Sequence, residues 1–132
     1  MTGLGLRFGR FSLVGTMGAI LQLTLVWLLT NWFDILSTAA MVVAVEITIL
    51  HNFAWHERFT WGNRGLKSSR QLALRLWRFH AGNGLVSLAG NTILIYCLVE
   101  RLRAPVLPAA IGGIALCSLV NFLIADRWVF RH

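Results

Sequence analysis

Charged side chains are scarce in this sequence of 132 residues. Only 13% of the residues are charged, and five are acidic. A soluble protein carries roughly 25% charged residues. Hydrophobic residues make up 57% of the chain, and the mean hydropathy is +0.68. A single domain of this length has too little interior to hide so much apolar surface, so the composition excludes an ordinary soluble domain and favours the lipid bilayer as its solvent.

Residues for metal binding and nucleophilic chemistry are also few. The two cysteines, Cys97 and Cys117, lie inside apolar runs and belong to no disulfide framework or Cys/His metal spacing. The sequence contains no Gly-rich phosphate loop before a basic helix, no Asp-x-Asp pair and no nucleophile beside a plausible base. We therefore expect no metal, no cofactor and no enzymatic activity from this chain.

Four apolar runs are candidates for helices that cross the membrane, which takes roughly 20 residues. They cover about residues 11–32, 38–55, 79–99 and 106–125. Short turns join the runs within each pair, and a polar stretch separates the two pairs. The end of that stretch, residues 69–77, has the pattern of an amphipathic interfacial helix. The predicted fold class is an all-α membrane protein with four transmembrane helices, in a single domain over residues 1–132.

Basic residues are distributed unequally between the ends of these runs. Ten of the twelve precede the first run, separate the second from the third, or follow the fourth: Arg7, Arg10, Arg58, Arg64, Lys67, Arg70, Arg75, Arg78, Arg127 and Arg131. The remaining two are Arg101 and Arg103. The positive-inside rule then places both termini and the middle loop in the cytoplasm. The net charge of +7 fits anionic lipid headgroups, and we expect no nucleic-acid partner.

One pattern of ten residues occurs twice, at residues 52–61 and 121–130. Both copies read Asn-Phe, three residues, an acid, Arg, an aromatic, one residue and a second aromatic. The pair Arg10-Phe11 recurs as Arg78-Phe79, 68 residues later, whereas the two copies of the ten-residue pattern are 69 residues apart. Each repeat, about residues 7–61 and 75–130, holds two spans and so enters and leaves on one side. The sequence therefore predicts two parallel helix-pair repeats.

Polar side chains within the spans are costly in lipid, and they are functional candidates for that reason. They are Gln22, Glu46, Asn52, Asn91 and Asn121. We predict that they line a groove for a polar substrate. The competing interpretation is helix packing, in which Asn and Gln bridge neighbouring helices. For Glu46, near the middle of its span, a proton carrier, a substrate contact and a protonated packing residue all stay open.

Arginines stand at the cytoplasmic ends of all four spans. They are Arg10, Arg58, Arg78 and Arg127. A guanidinium group holds a phosphate through a rigid fork of donors, so we predict that these residues bind a lipid phosphate at the headgroup level. The competing interpretation is that they are ordinary positive-inside residues, paired with Glu57 or Asp126.

Two motifs resemble those of a known family. Arg10-Phe11-Ser12-Leu13-Val14-Gly15 resembles the R-F-x-x-V-G opening of the GtrA-like family, and the Asn-Phe segments resemble its span exits. The resemblance covers nearly the whole chain, and it extends to the membrane domain of some archaeal dolichol-phosphate mannose synthases. In one departure, many members have Asn and then a base where this chain has His56-Glu57 and Ala125-Asp126. The first base here comes one residue later, at Arg58 and at Arg127.

The resemblance implies a flippase for a polyprenyl-phosphate-linked monosaccharide in the cytoplasmic (inner) membrane of a prokaryote, acting in cell-envelope polysaccharide synthesis or glycosylation. A membrane glycosyltransferase is the implied partner. Because four helices are too few to enclose a pore, we expect an open groove, a homodimer, or both. One alternative is a non-transporting scaffold that recruits the glycosyltransferase through the middle loop. A small proton-coupled exporter is another alternative, which the one-sided charge distribution disfavours.

Overall fold

A computed structural model describes residues 2–62, 68–90, 93–94 and 96–130. All regular structure in these ranges is helical, which confirms the all-α class. The chain divides into two compact units, residues 1–65 (unit 1) and residues 66–132 (unit 2). The division falls between the two predicted repeats.

Unit 1 is a pair of helices, α1 (Thr2–Asn31) and α2 (Ser37–Trp55). Helix α1 begins nine residues before the predicted span, because no proline interrupts residues 2–10. Its 30 residues rise about 45 Å, which exceeds the roughly 30 Å of membrane hydrocarbon. One end of α1 therefore extends beyond the hydrocarbon. Helix α2 continues into a wide helical turn, π1 (His56–Thr60).

Unit 2 begins with α3 (Ser69–Leu85), whose first turn is capped by Ser68. The Ser68 hydroxyl accepts a hydrogen bond of 3.3 Å from the Gln71 N–H. The predicted interfacial helix and the start of the predicted third span are one continuous α3, because no helix breaker lies between Trp77 and Phe79. Further elements are π2 (Val86–Gly90), π3 (Tyr96–Arg101), α4 (Val106–Ile124) and π4 (Ala125–Val129).

The tight turn before α2 has the same backbone pattern as the turn before α4. Asp34 has a φ of 50° and Arg103 has a φ of 52°. In each turn, the N–H that follows this left-handed residue bonds to a carbonyl six residues back: Ile35 to Leu29 at 3.0 Å, and Ala104 to Leu98 at 2.8 Å. Each bond spans one residue more than the 6→1 bond of the Schellman motif, in which a left-handed residue likewise ends the helix.

Three helical segments of the described residues are long and apolar enough to cross a membrane: Gly3–Asn31, Ala39–Thr60 and Ile111–Val129. Most of their large apolar side chains are exposed rather than buried in the protein, as expected where lipid is the solvent. The chain is therefore a membrane protein with several apolar helices. The predicted third span, residues 79–99, includes residues 91, 92 and 95, which lie outside the described residues. Its continuity stays a prediction.

The largest fully buried side chains concentrate at one end of each unit. They are Trp61 and His56 with Val14 in unit 1, and Phe122, Phe130 and Val129 in unit 2. We call this the basic end of each unit, because it carries Arg10 and Arg58 or Arg78 and Arg127. We call the opposite end, residues 31–36 or 100–105, the turn end.

Candidate functional site

The basic end of unit 1 holds Arg10 against the chain segment that carries Arg58. Arg10 Nη1, from α1, donates a hydrogen bond of 3.1 Å to the carbonyl of Phe59. The same guanidinium lies over the Phe59 ring, 4.9 Å from its centroid. Phe59 directly follows Arg58, which is exposed. Arg10 is therefore held against the chain segment that carries Arg58, by a charge-assisted hydrogen bond and a cation–π contact.

The basic end of unit 2 repeats this arrangement with different residues. Arg78 Nη1, from α3, donates a long hydrogen bond of 3.5 Å to the carbonyl of Trp128. Its guanidinium lies 5.6 Å from the centroid of the Trp128 ring. Trp128 directly follows Arg127, which is exposed. We call Arg10 with Arg58, and Arg78 with Arg127, the arginine pair of each unit, because the first residue is held against the segment that carries the second.

The carbonyls that receive Arg10 and Arg78 are available because they lie at helix ends. Phe59 and Trp128 belong to the last turns, π1 and π4, where carbonyl groups lack a partner further along the helix. A guanidinium has five N–H donors, so one bond to a carbonyl leaves Arg10 or Arg78 with donors for an anion. Within the described ranges, Arg58 and Arg127 form no ion pair with Glu57 or Asp126. Both arginines are therefore available to a ligand.

A buried aromatic cluster supports the basic end of unit 1. The His56 ring stacks on Phe11 with centroids 4.7 Å apart, and its edge-on contact with Trp61 has a centroid distance of 5.4 Å. His56 Nδ1 lies 3.0 Å from the Thr60 hydroxyl. The wide turn is closed by the Trp61 N–H, which bonds to the His56 carbonyl at 2.9 Å. His56 thus fixes the base of the segment that carries Arg58, a role that the sequence alone did not indicate.

Unit 2 closes its wide turn in the same way. The Phe130 N–H bonds to the Ala125 carbonyl at 2.9 Å, and Phe130 meets the edge of Phe79 with centroids 6.2 Å apart. The guanidinium of Arg75 lies 5.8 Å from the Phe130 centroid. Arg75 is only 8% exposed, although it stands in sequence among the basic residues that separate the second apolar run from the third. Its four-residue offset from Phe79 along α3 was the available signal, since it puts both on one face.

Three predicted groove residues bridge helices within their own units. Gln22 Nε2 contacts Met41 Sδ at 3.7 Å. The Asn52 amide fills the space beside Gly18 that a Cβ would occupy. Asn121 Nδ2 donates to the Ser87 hydroxyl at 3.2 Å. These contacts are those of the packing interpretation.

The other groove candidates are placed differently. Glu46 is exposed on the surface of α2, and Asn91 lies outside the described residues. Asn121 Oδ1 is buried and, like Thr48 Oγ1, has no hydrogen-bond partner among the described residues. A buried amide oxygen of this kind is a ready acceptor for a hydroxyl group. The groove as a whole stays a prediction.

Comparison with known proteins adds independent information. The GtrA/DPMS transmembrane-domain model matches residues 10–130. The chain is also 30% identical over 122 residues to a dolichol-phosphate mannosyltransferase of Pyrococcus furiosus. That match covers 89% of this chain and 32% of the relative, so the chain spans about a third of the length of the curated protein that it matches. The family match begins at Arg10 and ends at Phe130, and so includes both arginine pairs.

Proposed function

The chain belongs to the GtrA/DPMS transmembrane-domain family, and from this premise we propose that it translocates a polyprenyl-phosphate-linked monosaccharide across the cytoplasmic membrane of a prokaryote. The observation that carries the proposal is the arginine pair at the basic end of each unit. The relative's name refers to a lipid phosphate, dolichol phosphate, and to a sugar, mannose. We propose that this chain likewise handles a sugar attached to a lipid phosphate. The pathway would be cell-envelope polysaccharide synthesis or glycosylation.

The arginine pairs suit a phosphate at the level of the lipid headgroups. Arg10 and Arg78 are held in place by a ring and a carbonyl, whereas Arg58 and Arg127 are exposed beside them. One arginine of each pair is thus preorganised and the other is free to close on the ligand, which lowers the entropy lost on binding. The isoprenoid tail stays in the hydrocarbon throughout.

Only the phosphate and the sugar have to leave the headgroup layer. A hydroxyl that enters hydrocarbon without a hydrogen bond costs roughly 4–8 kcal/mol. Polar side chains along the helices reduce this cost, and we propose this role for Gln22, Glu46, Asn52, Asn91 and Asn121. The unused Oδ1 atom of Asn121 supports the proposal.

The topology that we propose has four spans in two parallel repeats, with both termini in the cytoplasm. Three backbone features support it, because each recurs at the separation of Asn52 from Asn121. The left-handed residues are Asp34 and Arg103, the following helices start at Ser37 and Val106, and those helices end at Trp55 and Ile124. The ten basic residues at the cytoplasmic ends support the orientation. A homodimer would give the translocated headgroup more protein surface than four helices offer.

A membrane glycosyltransferase is the proposed partner, and we propose that this chain itself is not an enzyme. The supporting observation is that the family match, over residues 10–130, is to a transmembrane domain. The same observation favours a second candidate function, a scaffold that holds a glycosyltransferase at the membrane without moving its product.

The test is translocation of a short-chain polyprenyl-phosphate mannose by the purified protein in proteoliposomes. We expect Arg58→Gln and Arg127→Gln each to slow translocation roughly 10-fold or more, since a hydrogen bond to a charged group contributes about 1.5–3 kcal/mol. Arg70→Gln is the matched control, because Arg70 is exposed and its loss changes the net charge equally.

Two results would contradict the proposal. Wild-type rates in both arginine variants would remove the arginine pairs from the mechanism. No translocation by the wild-type protein, together with retention of a glycosyltransferase on the vesicles, would favour the scaffold.

A further inference from the structure

The turn end of unit 2 carries two arginines that run against the charge distribution of the rest of the chain. Arg101 and Arg103 flank Leu102, and all three side chains are exposed. Neither guanidinium has a hydrogen bond or an ion pair in the part of the chain that the structure describes. The other titratable groups nearby are Glu100 and Tyr96, so this end has a net charge of +1.

The corresponding turn of unit 1 provides an internal comparison. Trp32 and Asp34 hold the positions there that Arg101 and Arg103 hold in unit 2, and they give that turn end a net charge of −1. Both turns need a left-handed residue, with φ of 50° at Asp34 and 52° at Arg103. Aspartate is among the residues that tolerate this conformation, whereas a long side chain such as arginine adopts it at a cost. An arginine at such a position points to a role outside the fold.

Other features of the two turns are alike and do not distinguish their affinity for an anion. Each turn leads into a helix whose N-terminus has no side-chain cap, α2 after Leu36 and α4 after Pro105. The field of the helix dipole is therefore the same in the two units. Only the arginines make the turn end of unit 2 attractive to an anion.

The turn end is separated from the basic end of unit 2 by the length of α4. Its 19 residues span about 28 Å, close to the hydrocarbon thickness of roughly 30 Å. Arg103 precedes this helix, and Arg127 follows it. Unit 2 thus carries exposed arginines at two levels that are about one hydrocarbon thickness apart.

We infer that Arg101 and Arg103 form a second phosphate-ester site, which receives the lipid phosphate at the opposite face of the membrane. The inference rests on the proposed function, because a translocated phosphate must be held at the second headgroup layer before release. Leu102, 71% exposed between the two arginines, favours a lipid ligand over a free phosphate. An apolar side chain there enters the edge of the hydrocarbon while the guanidinium groups stay among the headgroups.

The test uses the full-length protein in phosphatidylcholine nanodiscs, which expose both faces, with farnesyl phosphate as the probe. Native mass spectrometry counts the bound ligands, and a titration gives the affinity of each class of site. We expect Arg101→Gln/Arg103→Gln to lose one class of site, or to weaken it roughly 10-fold. Arg58→Gln/Arg127→Gln should retain that class and lose the other. Inorganic phosphate at the same concentration should not displace the probe.

The single variant Arg103→Gly separates ligand binding from folding. Glycine adopts the left-handed conformation of this position without strain, so this variant should melt at a higher temperature than the wild-type protein and yet bind the turn-end probe more weakly. A purely structural role for Arg103 predicts that stability and binding change in the same direction.

Three outcomes would overturn the inference. The first is that Arg101→Gln/Arg103→Gln binds the probe with the stoichiometry and affinity of the wild-type protein. If the basic-end variant, Arg58→Gln/Arg127→Gln, still loses its class of site, the proposed function survives this outcome. The second is displacement of the probe by inorganic phosphate, which would replace the lipid ligand with a free anion. The third is unchanged binding in the basic-end variant alone, which would remove the proposed function on which the inference rests.

Discussion

Asn52 and Asn121 occupy corresponding places in the two units, and each bridges a pair of helices in its own way. Asn52 packs its amide against Gly18, whereas Asn121 donates to Ser87. Gly18 and Ser87 themselves hold corresponding positions in the two repeats. A glycine leaves room for the amide and a serine supplies a hydroxyl to it. Among the described residues, Asn52 has a side-chain hydrogen bond only within its own helix, with His51, whereas the bond of Asn121 joins two helical segments.

Gly18→Ala should destabilise unit 1. Its Cβ would collide with the Asn52 side chain, and overpacking of this kind costs about 1–3 kcal/mol. Gly15→Ala is the control on the same helix, because a Cβ at Gly15 meets no atom within 4 Å. Thermal unfolding in detergent, followed by size-exclusion chromatography, should show a lower transition for Gly18→Ala and an unchanged or higher one for Gly15→Ala. Equal transitions would show that Asn52 moves aside freely.

At the scale of single elements, the ends of the helices matter more than their middles. The wide turns π1 and π4 end helices that are long and apolar enough to cross a membrane, and each turn exposes a carbonyl to an arginine from the first helix of its unit. Water is present near the headgroups but not in the hydrocarbon. Burial of apolar surface in the aromatic clusters is therefore stabilised by the hydrophobic effect at the basic ends. Mid-membrane contacts depend on packing and polar bridges instead. The most buried part of each unit thus coincides with its arginine pair.

Helix α3 contains one buried arginine and one exposed arginine, which together test whether the contacts at the basic end stabilise the unit. Arg75→Ala should lower the free energy of unfolding by about 1–2 kcal/mol, since it removes a buried cation–π contact with Phe130 and the packing of the side-chain stem. Arg70→Ala, on an exposed position of the same helix, should leave stability unchanged. Denaturant titration of both variants in the same detergent measures the difference. A similar loss in both would point to net charge rather than to the Phe130 contact.

At the scale of the whole molecule, the distribution of charge predicts orientation. The middle loop carries many basic residues, whereas the turn ends of the two units carry few. The positive-inside rule acts during insertion on short loops, so it applies to a chain of this size regardless of how the helices later pack. The two turn ends should therefore face away from the cytoplasm.

Cysteine labelling in intact cells measures that orientation. In a background with Cys97→Ser and Cys117→Ala, single cysteines at Phe33→Cys and Leu102→Cys should react with a membrane-impermeant maleimide. Arg70→Cys should react only after permeabilisation. All three positions are exposed in their own units, so burial does not confound the result. Labelling of Arg70→Cys in intact cells would contradict the proposed topology and favour the opposite orientation.

Much of the fold could be read from the sequence, because the signals are local. Low charge and long apolar runs identify a helical membrane protein, and the boundaries of α2 and α4 lie within one residue of those predicted. The start of α1 and the continuity of α3 were missed, because apolar runs mark the hydrocarbon and not the ends of a helix. The arginines of the candidate site were chosen for their positions at the span ends, a property that sequence reports directly.

The contacts of that site were beyond sequence reasoning. Arg10 meets a carbonyl 49 residues away, and Arg78 meets one 50 residues away. Such pairings arise only when two helices pack and a wide turn leaves its last carbonyls unbonded. The burial of His56 and Arg75 follows from the same packing. The sequence alone thus determined the solvent of this protein, its helices and the positions of its charges, because each depends on neighbouring residues. Tertiary structure alone decided which guanidinium is held and which is free, because that depends on residues distant in the chain.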